Sequence, residues 1–400
     1  MQNFENKTLR EIASECKSVD EILDIMKGLF RETLQLVLEA EIEDHLGYTK
    51  HSASGINTGN SRNGYRKKTL RTKFGNTLIE IPRDRNGDYE PEIVKNYESS
   101  INGLEEQIIA LYSKGMTTRD IESHMRDLYG VDVSPSLVSR VTDKVIPLAM
   151  EWQSRILDRV YPIIYLDAIH FKVKHENKIV NKAAYTVLGI NMDGEKDILG
   201  IWIGENESAS FWLSVLTDLK NRGVEDIFIA CIDGLKGFPE AIQAVFPRTN
   251  IQLCIIHQIR NTMKFIPSKQ RREFLNNLKK VYKAYTIEEA ELEFAKLKDT
   301  WGGKYERAVS PWENNWLELT TYFMYTPEIR KMIYTTNTVE AYHRQLRKVT
   351  KSKTAYPTDN ALRKIIYLAT TETVGKWGKQ PNWDELRAQL KISFSDRLSV

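Results

Sequence analysis

The chain has 400 residues, more than one ordinary hydrophobic core holds, and its length predicts about two to four domains. A net charge of +3 and an apolar fraction of 41% are ordinary for a globular protein and do not by themselves require a nucleic-acid partner. No apolar run approaches the ~20 residues of a membrane span, the first residues lack the pattern of a secretory signal, and three cysteines suit a reducing cytoplasm better than a disulfide scaffold.

Helices are predicted over residues 4–46, because apolar side chains recur there at gaps of four and three residues. The recurring residues are Ile22, Met26, Phe30, Leu34 and Val37. We assign residues 1–55 to an amino-terminal helical region that serves in oligomerisation or DNA binding.

A basic β-hairpin unit is predicted over residues 56–95, because the sequence alternates like strands between turn signals. The turn signals are Gly75-Asn76 and Asn86-Gly87. Six basic residues and no acid lie between Arg62 and Lys73. Such a cluster suggests phosphate contacts, with a solvated charged surface as the alternative. The candidate DNA-contacting residues of this unit are Arg62, Arg66, Lys67 and Lys68.

A helix-turn-helix DNA-binding domain is predicted over residues 96–158. Its first helix ends near Gly115, and Ser134-Pro135 caps the third helix, SLVSRVTDKVIPL. This third helix is the candidate recognition helix, with Arg140 as its DNA-contacting residue. An ordinary three-helix bundle is the alternative, because short helices joined by glycine turns are common.

Residues 159–400 are predicted to form an α/β catalytic core with the ribonuclease-H-like fold. The segment PIIYLDAIHFKVKH is a long apolar strand, and a hairpin around Asp193-Gly194 follows it. A helix, a buried strand, a short helix and a fifth strand, NIQLCIIH, complete the element order of that fold. Residues 266–332 are predicted to be an inserted helical subdomain, after which NTVEAYHRQLRKVTK is an amphipathic helix.

Three acids stand on separate elements of this core. Asp167 lies in the first strand, Asp233 just after the fourth, and Glu340 in the late helix. Cleavage or transfer of a phosphodiester needs an activated oxygen nucleophile and a stabilised leaving oxygen, which two divalent ions about 4 Å apart provide. Because hard ions prefer carboxylate oxygens, we predict that these acids are catalytic and hold two Mg²⁺ or Mn²⁺ ions, with Asp167 bridging both.

Each acid also has a structural interpretation. Asp167 lies in a strongly apolar strand, where an unpaired carboxylate is costly, so it should be paired or bound to metal. Asp233 precedes Gly234, as turn residues do, and Glu340 would close a capping box if Asn337 were the N-cap. The joint placement of all three acids in the order of the fold favours catalysis.

Two basic residues share a helix face with Glu340, since Arg344 and Arg347 follow it by four and seven residues. They are predicted to bind the DNA strand at the metal site, and a surface ion-pair ladder is the alternative.

Cys254 and His257 form a C-x-x-H pair, but the second pair that structural zinc needs is absent from the sequence. Two interpretations of His257 remain open. It is either a satisfied histidine at a strand end or a support for the active site near the phosphate.

With these motifs in place, the chain resembles transposases of bacterial insertion sequences in the Mutator-like superfamily over nearly its whole length. The segments that carry the resemblance are NSRNGYRKKTLRTKFGNTLIEIPRDRNGDYEP, YLDAIHFKV, CIDGLKGFPEAI, QLCIIHQIRN and TTNTVEAYHRQLRK. Their order and spacing are similar to those of the family, without departure at the acids, at the C-x-x-H pair or at Arg347.

The resemblance implies a DDE transposase. Such enzymes bind the terminal inverted repeats of their element as homodimers or larger assemblies. They nick the element end to expose a 3′-hydroxyl and use it to attack another phosphodiester. The resemblance also implies double-stranded DNA as the partner, no membrane, and a place in the bacterial cytoplasm on the nucleoid.

Two other functions fit the same sequence less fully. A ribonuclease-H-like nuclease would use the same acids and hydrolyse DNA without joining strands. A regulator that only binds DNA through residues 104–146 would need none of the acids, and their complete order argues against it.

Overall fold

The computed structural model describes residues 18–52, 59–72, 75–94, 103–129, 131–176, 178–205 and 208–397. Contacts within the chain divide it into two compact units, Met1–Lys144 and Val145–Val400. The helical residues predicted before position 18, together with Cys16, lie outside the described residues. The finer division at residues 55, 95 and 158 stays a prediction.

A long helix and a hairpin form the start of the first unit. Helix α1 (Val19–Leu46) begins where the Ser18 hydroxyl accepts the backbone N–H of Glu21 at 3.2 Å. It packs on the antiparallel strands β1 (Arg62–Thr72) and β2 (Gly75–Asp84), which confirm the predicted hairpin.

The apolar stripe predicted for α1 is confirmed only in its later part. Phe30 and Leu34 pack in a cluster whose buried members are Leu34, Leu38, Leu70, Ile79, Ile81 and Val94. By contrast, Ile22 and Met26 are 46% and 43% exposed, because no described element covers the first turns of the helix.

One of the two predicted hairpin turns is wrong. Gly75 and Asn76 already pair with residues of β1, so both belong to β2. This register places the apolar residues of both strands on the face that α1 covers. Burial of these residues therefore determines the register of the hairpin. The later turn is confirmed, since Gly87 has a φ of +77° and donates its N–H to Asp84 Oδ1 at 3.1 Å.

Three short helices follow, as predicted: α2 (Gly103–Ser113), α3 (Thr118–Tyr129) and α4 (Pro135–Asp143). A capping box starts α3, because the Thr117 hydroxyl accepts the Asp120 N–H at 3.2 Å and the Asp120 carboxylate accepts the Thr117 N–H at 2.9 Å.

The third helix is shorter than predicted. It ends at Asp143, and a new helix, α5 (Val145–Ser154), begins the second unit. Pro147 lacks the N–H that would donate to the Asp143 carbonyl, so the helical hydrogen-bond ladder is interrupted at this point.

The second unit is built on a five-stranded sheet with the order β5-β4-β3-β6-β7. Its strands are β3 (Val160–His175), β4 (Lys178–Ile190), β5 (Lys196–Gly204), β6 (Asp226–Ile232) and β7 (Asn250–Leu253). The first three pair antiparallel, whereas β6 runs parallel to β3 and β7 runs parallel to β6. The predicted mixed α/β class is confirmed.

Helices connect the later strands. They are α6 (Ala209–Asn221), α7 (Phe238–Val245) and α8 (Ile255–Met263). The fifth strand is shorter than the predicted NIQLCIIH, because β6 ends at Ile232 and offers β7 no further partner. Cys254 is therefore the N-cap of α8, and His257 lies in the first turn of that helix and not at a strand end.

The segment predicted as an insertion is helical. It contains α9 (Arg271–Tyr282), α10 (Ile287–Trp301), α11 (Glu306–Asn314), α12 (Trp316–Thr320), a 3₁₀ turn (Thr321–Met324) and α13 (Pro327–Ile333). The buried Trp312 fixes this segment to α8, because its indole N–H donates to Thr262 Oγ1 at 2.8 Å.

The remaining elements are α14 (Asn337–Thr350), α15 (Asp359–Val374), α16 (Trp383–Ser393) and a 3₁₀ turn (Ser395–Arg397). None of the helices in the described ranges combines the length and apolar character that crossing a bilayer requires.

The turn between β4 and β5 is fixed by a distant tryptophan. Gly194 has a φ of +78°, and a Cβ at this position would lie 2.3 Å from Cγ of Trp383. The Trp383 indole N–H donates to the Met192 carbonyl at 2.9 Å, so the ring is held over the turn. Only glycine satisfies both the backbone angle and the approach of the ring.

Gly194→Ala should therefore destabilise the second unit by about 2–4 kcal/mol, since alanine is strained at positive φ and its methyl group would displace the indole. Gly303→Ala is the matched control, because no atom lies within 4 Å of the added Cβ and the φ of Gly303 is not in the left-handed region. Urea unfolding of the full chain, followed by tryptophan fluorescence, gives the two midpoints. Equal midpoints would show that Trp383 does not constrain the turn.

Candidate active site

Two of the predicted acids follow paired positions on neighbouring parallel strands. Tyr165 of β3 pairs with Cys231 of β6, and Asp167 and Asp233 each come two residues later. Because side chains alternate along a strand, residues two positions apart point to the same face of the sheet. Each acid is therefore expected on the same face as the paired residue that precedes it. The parallel register therefore brings two carboxylates from distant parts of the chain to the same end of the sheet.

Asp167 is nearly buried, and its carboxylate is paired. Its Oδ1 accepts the backbone N–H of Ala168 at 2.8 Å, and its Oδ2 lies 3.3 Å from Nδ1 of His343. The sequence-based expectation that this carboxylate should not be left unpaired is met by the protein's own groups.

The pKa of Asp233 is affected by the neighbouring Asp167 carboxylate. Burial first, and then the negative charge of Asp167, raise the pKa of Asp233 above its usual value. Its Oδ1 also accepts the Leu235 N–H at 3.3 Å, so Asp233 retains part of a turn residue's role. The two carboxylates repel each other unless a positive charge lies near both.

Glu340 lies on α14 and pairs with α8. Arg260 donates from Nη1 to Glu340 Oε1 at 2.7 Å, and His257 Nε2 lies 3.3 Å from the same oxygen. The predicted capping box is wrong, because the N-cap of α14 is Thr336 and not Asn337. The ion-pair ladder along α14 is wrong as well, since Glu340 pairs with residues of another helix.

Cys254 and His257 form a polar pair beneath Glu340. The Cys254 thiol first, and then the charges of Asp167 and Asp233, raise the pKa of His257 to about 9 against the effect of burial. Burial would raise the pKa of the Cys254 thiol, but His257 and Thr336 together lower it. The Thr336 hydroxyl donates to Cys254 Sγ at 3.3 Å, so this pair also fixes the start of α14.

The His257 ring is not fully satisfied. Its Nδ1 is buried and has no partner of good hydrogen-bond geometry among the described residues, while its Nε2 contacts Glu340. The structure therefore places His257 beside Glu340, and its interpretation as a support for the active site stays a prediction.

The donor chemistry of the acids fits a divalent cation in part. As the structure stands, no three His, Cys, Asp or Glu side chains in the described ranges are close enough to hold one metal ion. Asp167 and Asp233 nevertheless supply hard carboxylate oxygens side by side, and their repulsion is the kind that a cation relieves. Glu340 fits only if its carboxylate exchanges the Arg260 guanidinium for the cation.

Sequence reasoning missed two residues of this site, Arg260 and His343. Arg260 was not singled out from the sequence, although it follows His257 by about one helical turn. His343 lies among the buried residues of α14, so an unexpected polar residue on the apolar face of a predicted amphipathic helix was its signal.

The predicted DNA-contacting residues differ in their surroundings. Arg62 is paired with Glu43 at 3.2 Å and lies over the Tyr48 ring at 5.6 Å, so its guanidinium is already engaged. Lys67 is exposed on β1, whereas Lys68 is half-buried.

Other basic residues lie at openings or on exposed helix faces. Arg66 lines a cavity of about 290 Å³ with Arg83 and Arg85. On α4 of the first unit Arg140 is exposed, and on α14 of the second unit Arg344 and Arg347 are exposed. Neither Arg344 nor Arg347 makes an ion pair within the described part of the chain.

Comparison with known proteins adds independent findings. A family model described as "Transposase, Mutator family" matches residues 1–380. The chain is 39% identical over 386 residues to the "Transposase for insertion sequence element ISRM3" of Rhizobium meliloti (strain 1021), covering 96% of this chain and 95% of that one. It is 40% identical over 340 residues to a "Probable transposase for insertion sequence element" of Corynebacterium diphtheriae, covering 80% of this chain and 99% of the relative.

Among solved structures, a "Drosophila P element transposase strand transfer complex" has 10% sequence identity and a TM-score of 0.30, over 77% of this chain and 85% of that one. A likeness this distant supports no inference about the chain.

Proposed function

The chain belongs to the Mutator family of transposases, and from this membership we propose that it is a DDE transposase. It cuts the ends of its own insertion sequence to expose a 3′-hydroxyl and joins that strand to another phosphodiester. The observation that carries the proposal is the placement of Asp167 and Asp233 after paired residues of adjacent parallel strands.

The proposed catalytic core is ribonuclease-H-like. Three antiparallel strands, a helix, a parallel strand, a second helix and a further parallel strand succeed one another in the second unit, in the element order expected for that fold. A helical segment separates α8 from α14, so Glu340 reaches the sheet from the far side of a long insertion.

Asp167, Asp233 and Glu340 are the residues that would hold Mg²⁺ or Mn²⁺. When bound, the ions supply an activated oxygen nucleophile and stabilise the leaving oxygen. The chain's part is to hold three carboxylates on a β-strand, at a strand end and on a helix, which limits their movement during the reaction.

Arg260 has two alternative partners in this proposal. In the structure it pairs with Glu340; the Arg260 side chain is 56% exposed and the Glu340 side chain is 16% exposed, so Arg260 is accessible to a second partner. Its second partner would be a phosphate of the DNA strand, to which the guanidinium can donate.

DNA recognition is proposed for the first unit. The exposed basic residues of β1 and the cavity lined by Arg66 would bind phosphates, and Arg140 on α4 would read a base edge of the terminal inverted repeat. Arg344 and Arg347 would bind the strand beside the acids. The proposed partners are double-stranded DNA and further copies of the chain, in a homodimer or larger assembly on the DNA.

Replacing any of the three acids should abolish nicking and strand joining. Asp167→Asn, Asp233→Asn and Glu340→Gln each remove an ionised ligand, so each should cost more than the ~100-fold that loss of an outer-shell partner can cost. The assay incubates the full chain with labelled element-end duplex and Mg²⁺. Glu225→Gln is the control, since that exposed acid pairs with Arg159 at the surface.

The products of the unchanged protein separate the alternatives. Joined strands support a transposase, and cuts without joining support a plain nuclease. Specific binding without any product supports a regulator. Near-normal cleavage by one of the three variants would remove that residue from the site.

Arg347→Ala should slow cleavage and joining more than it weakens affinity for the element end. Arg347 shares a helix face with Glu340, so we expect it to bind a phosphate close to the reacting bond. Lys348→Ala is the matched control, because Lys348 is equally exposed but points ~100° away around the helix. Single-turnover rates and gel-shift titrations measure the two effects, and no change in either would place Arg347 away from the DNA.

Three basic residues of the first unit should respond differently in gel-shift titrations on end and scrambled duplexes. Lys67→Ala should weaken binding to both duplexes and reduce the log–log salt slope by about 0.9. Arg140→Ala should reduce discrimination between them. Arg62→Ala should mainly lower thermal stability, because Arg62 is paired with Glu43. If Arg140→Ala discriminates between the two duplexes as well as the unchanged protein does, sequence recognition lies in another part of the chain.

A further inference from the structure

A buried histidine connects two parts of the candidate site. His343 follows Glu340 by three residues on α14 and is 6% exposed. A buried imidazole is costly unless its nitrogens have partners, and both have one here. Nδ1 lies 3.3 Å from Asp167 Oδ2, and Nε2 lies 3.1 Å from Thr186 Oγ1.

Thr186 and Asp167 are related by the sheet register. Thr186 of β4 is directly opposite Asp167 of β3 in their antiparallel pairing. Residues directly opposite each other project from the same face of a sheet. The His343 ring therefore spans one cross-strand pair, with a fully buried hydroxyl on one strand and the carboxylate on the other.

The chemistry of these partners sets the roles of the two ring nitrogens. An ionised carboxylate only accepts, so Nδ1, the nitrogen that faces Asp167 Oδ2 at 3.3 Å, is the one that carries a hydrogen. In the neutral ring, Nε2 is then an acceptor, and the Thr186 hydroxyl donates to it. Thr186 thus selects the tautomer of His343 that can donate to Asp167.

This arrangement fixes the Asp167 carboxylate from two sides. Oδ1 accepts the Ala168 N–H, and Oδ2 lies 3.3 Å from His343 Nδ1, so rotation of the carboxylate is restricted. Each oxygen still has lone-pair capacity toward a cation. Because His343 and Glu340 share α14, the same contact sets the position of the Glu340 helix relative to β3.

We propose that His343 is a positioning residue, which together with Thr186 holds the Asp167 carboxylate in the orientation that binds a divalent cation. This inference rests on the proposed function, since it takes Asp167 to be a cation ligand. Outer-shell partners of metal-binding residues change metal affinity or activity by about 10–100-fold. The same range is expected for loss of the His343 contact.

Replacing His343 by an amide residue tests the two contacts of the ring one at a time. His343→Asn places an amide nitrogen near the position of Nδ1 and can still donate to Asp167. His343→Gln places it near Nε2, so the contact with Thr186 survives and that with Asp167 is lost. Thr186→Val removes the hydroxyl at nearly constant shape.

Tyr342→Phe is the matched control for loss of a buried hydrogen bond from the same helix. The Tyr342 hydroxyl bonds the Thr370 hydroxyl at 2.6 Å and touches none of the acids. This variant should lower the thermal midpoint without changing the affinity for a cation.

The experiment titrates Mn²⁺ into the full chain without DNA, by isothermal titration calorimetry, and records the thermal midpoint of each variant. His343→Gln and Thr186→Val should weaken Mn²⁺ binding by about 10–100-fold. His343→Asn should stay close to the unchanged protein. A purely structural role would lower the thermal midpoints and leave the Mn²⁺ affinities equal.

Asp167→Asn distinguishes failure of this inference from failure of the proposed function. If Asp167→Asn loses Mn²⁺ binding while His343→Gln and Thr186→Val keep it, His343 does not position the carboxylate and the proposed site stands. If Asp167→Asn keeps normal binding, both are overturned. Should His343→Gln fail to fold, Thr186→Val decides the question, because it preserves the packing.

Discussion

A negative charge placed in the central strand of an apolar sheet is the constraint on which the second unit depends. Removing the Asp167 carboxylate from water is costly, and the cost must be offset by hydrogen bonds at fixed positions. One hydrogen bond comes from the adjacent backbone N–H, and His343 on α14 lies 3.3 Å from the other carboxylate oxygen. The helix that carries Glu340 must therefore lie against β3, and Thr186 on β4 must face the same ring.

Charge is distributed unevenly across the site, and this follows from which element supplies each group. Asp167 and Asp233 come from two neighbouring strands that run parallel, Asp167 within β3 and Asp233 just after β6. Burial and then the charge of Asp167 raise the pKa of Asp233. Glu340 faces α8 instead, where His257 and Arg260 lie beside its carboxylate. Repulsion between carboxylates is thus concentrated at the two aspartates, whereas Glu340 already has positive partners.

Local sequence predicted most elements of the fold, because their signals lie within a few residues of each other. The capping box of Thr117 and Asp120 starts a helix by contacts three residues apart, and the alternation in β1 and β2 fixes their covered face. The wrong predictions concern strand ends, whose positions depend on the partner strand or on the element that covers them. The strand NIQLCIIH stops at Leu253 because β6 has no more residues to pair, and the turn expected at Gly75 moved because burial set the register.

The three acids and their order could be predicted from sequence alone, since each stands at a recognisable place in the succession of strands and helices. Tertiary structure decided what surrounds them. His343 meets Thr186 across 157 positions of sequence, and Arg260 meets Glu340 across 80, distances over which no periodicity or motif carries a signal. The basic cluster in the sequence predicted the same role for Arg62 and Lys67. Only the structure shows that Arg62 forms an ion pair with Glu43 whereas Lys67 is exposed. The charge of a residue does not by itself determine which neighbour it contacts.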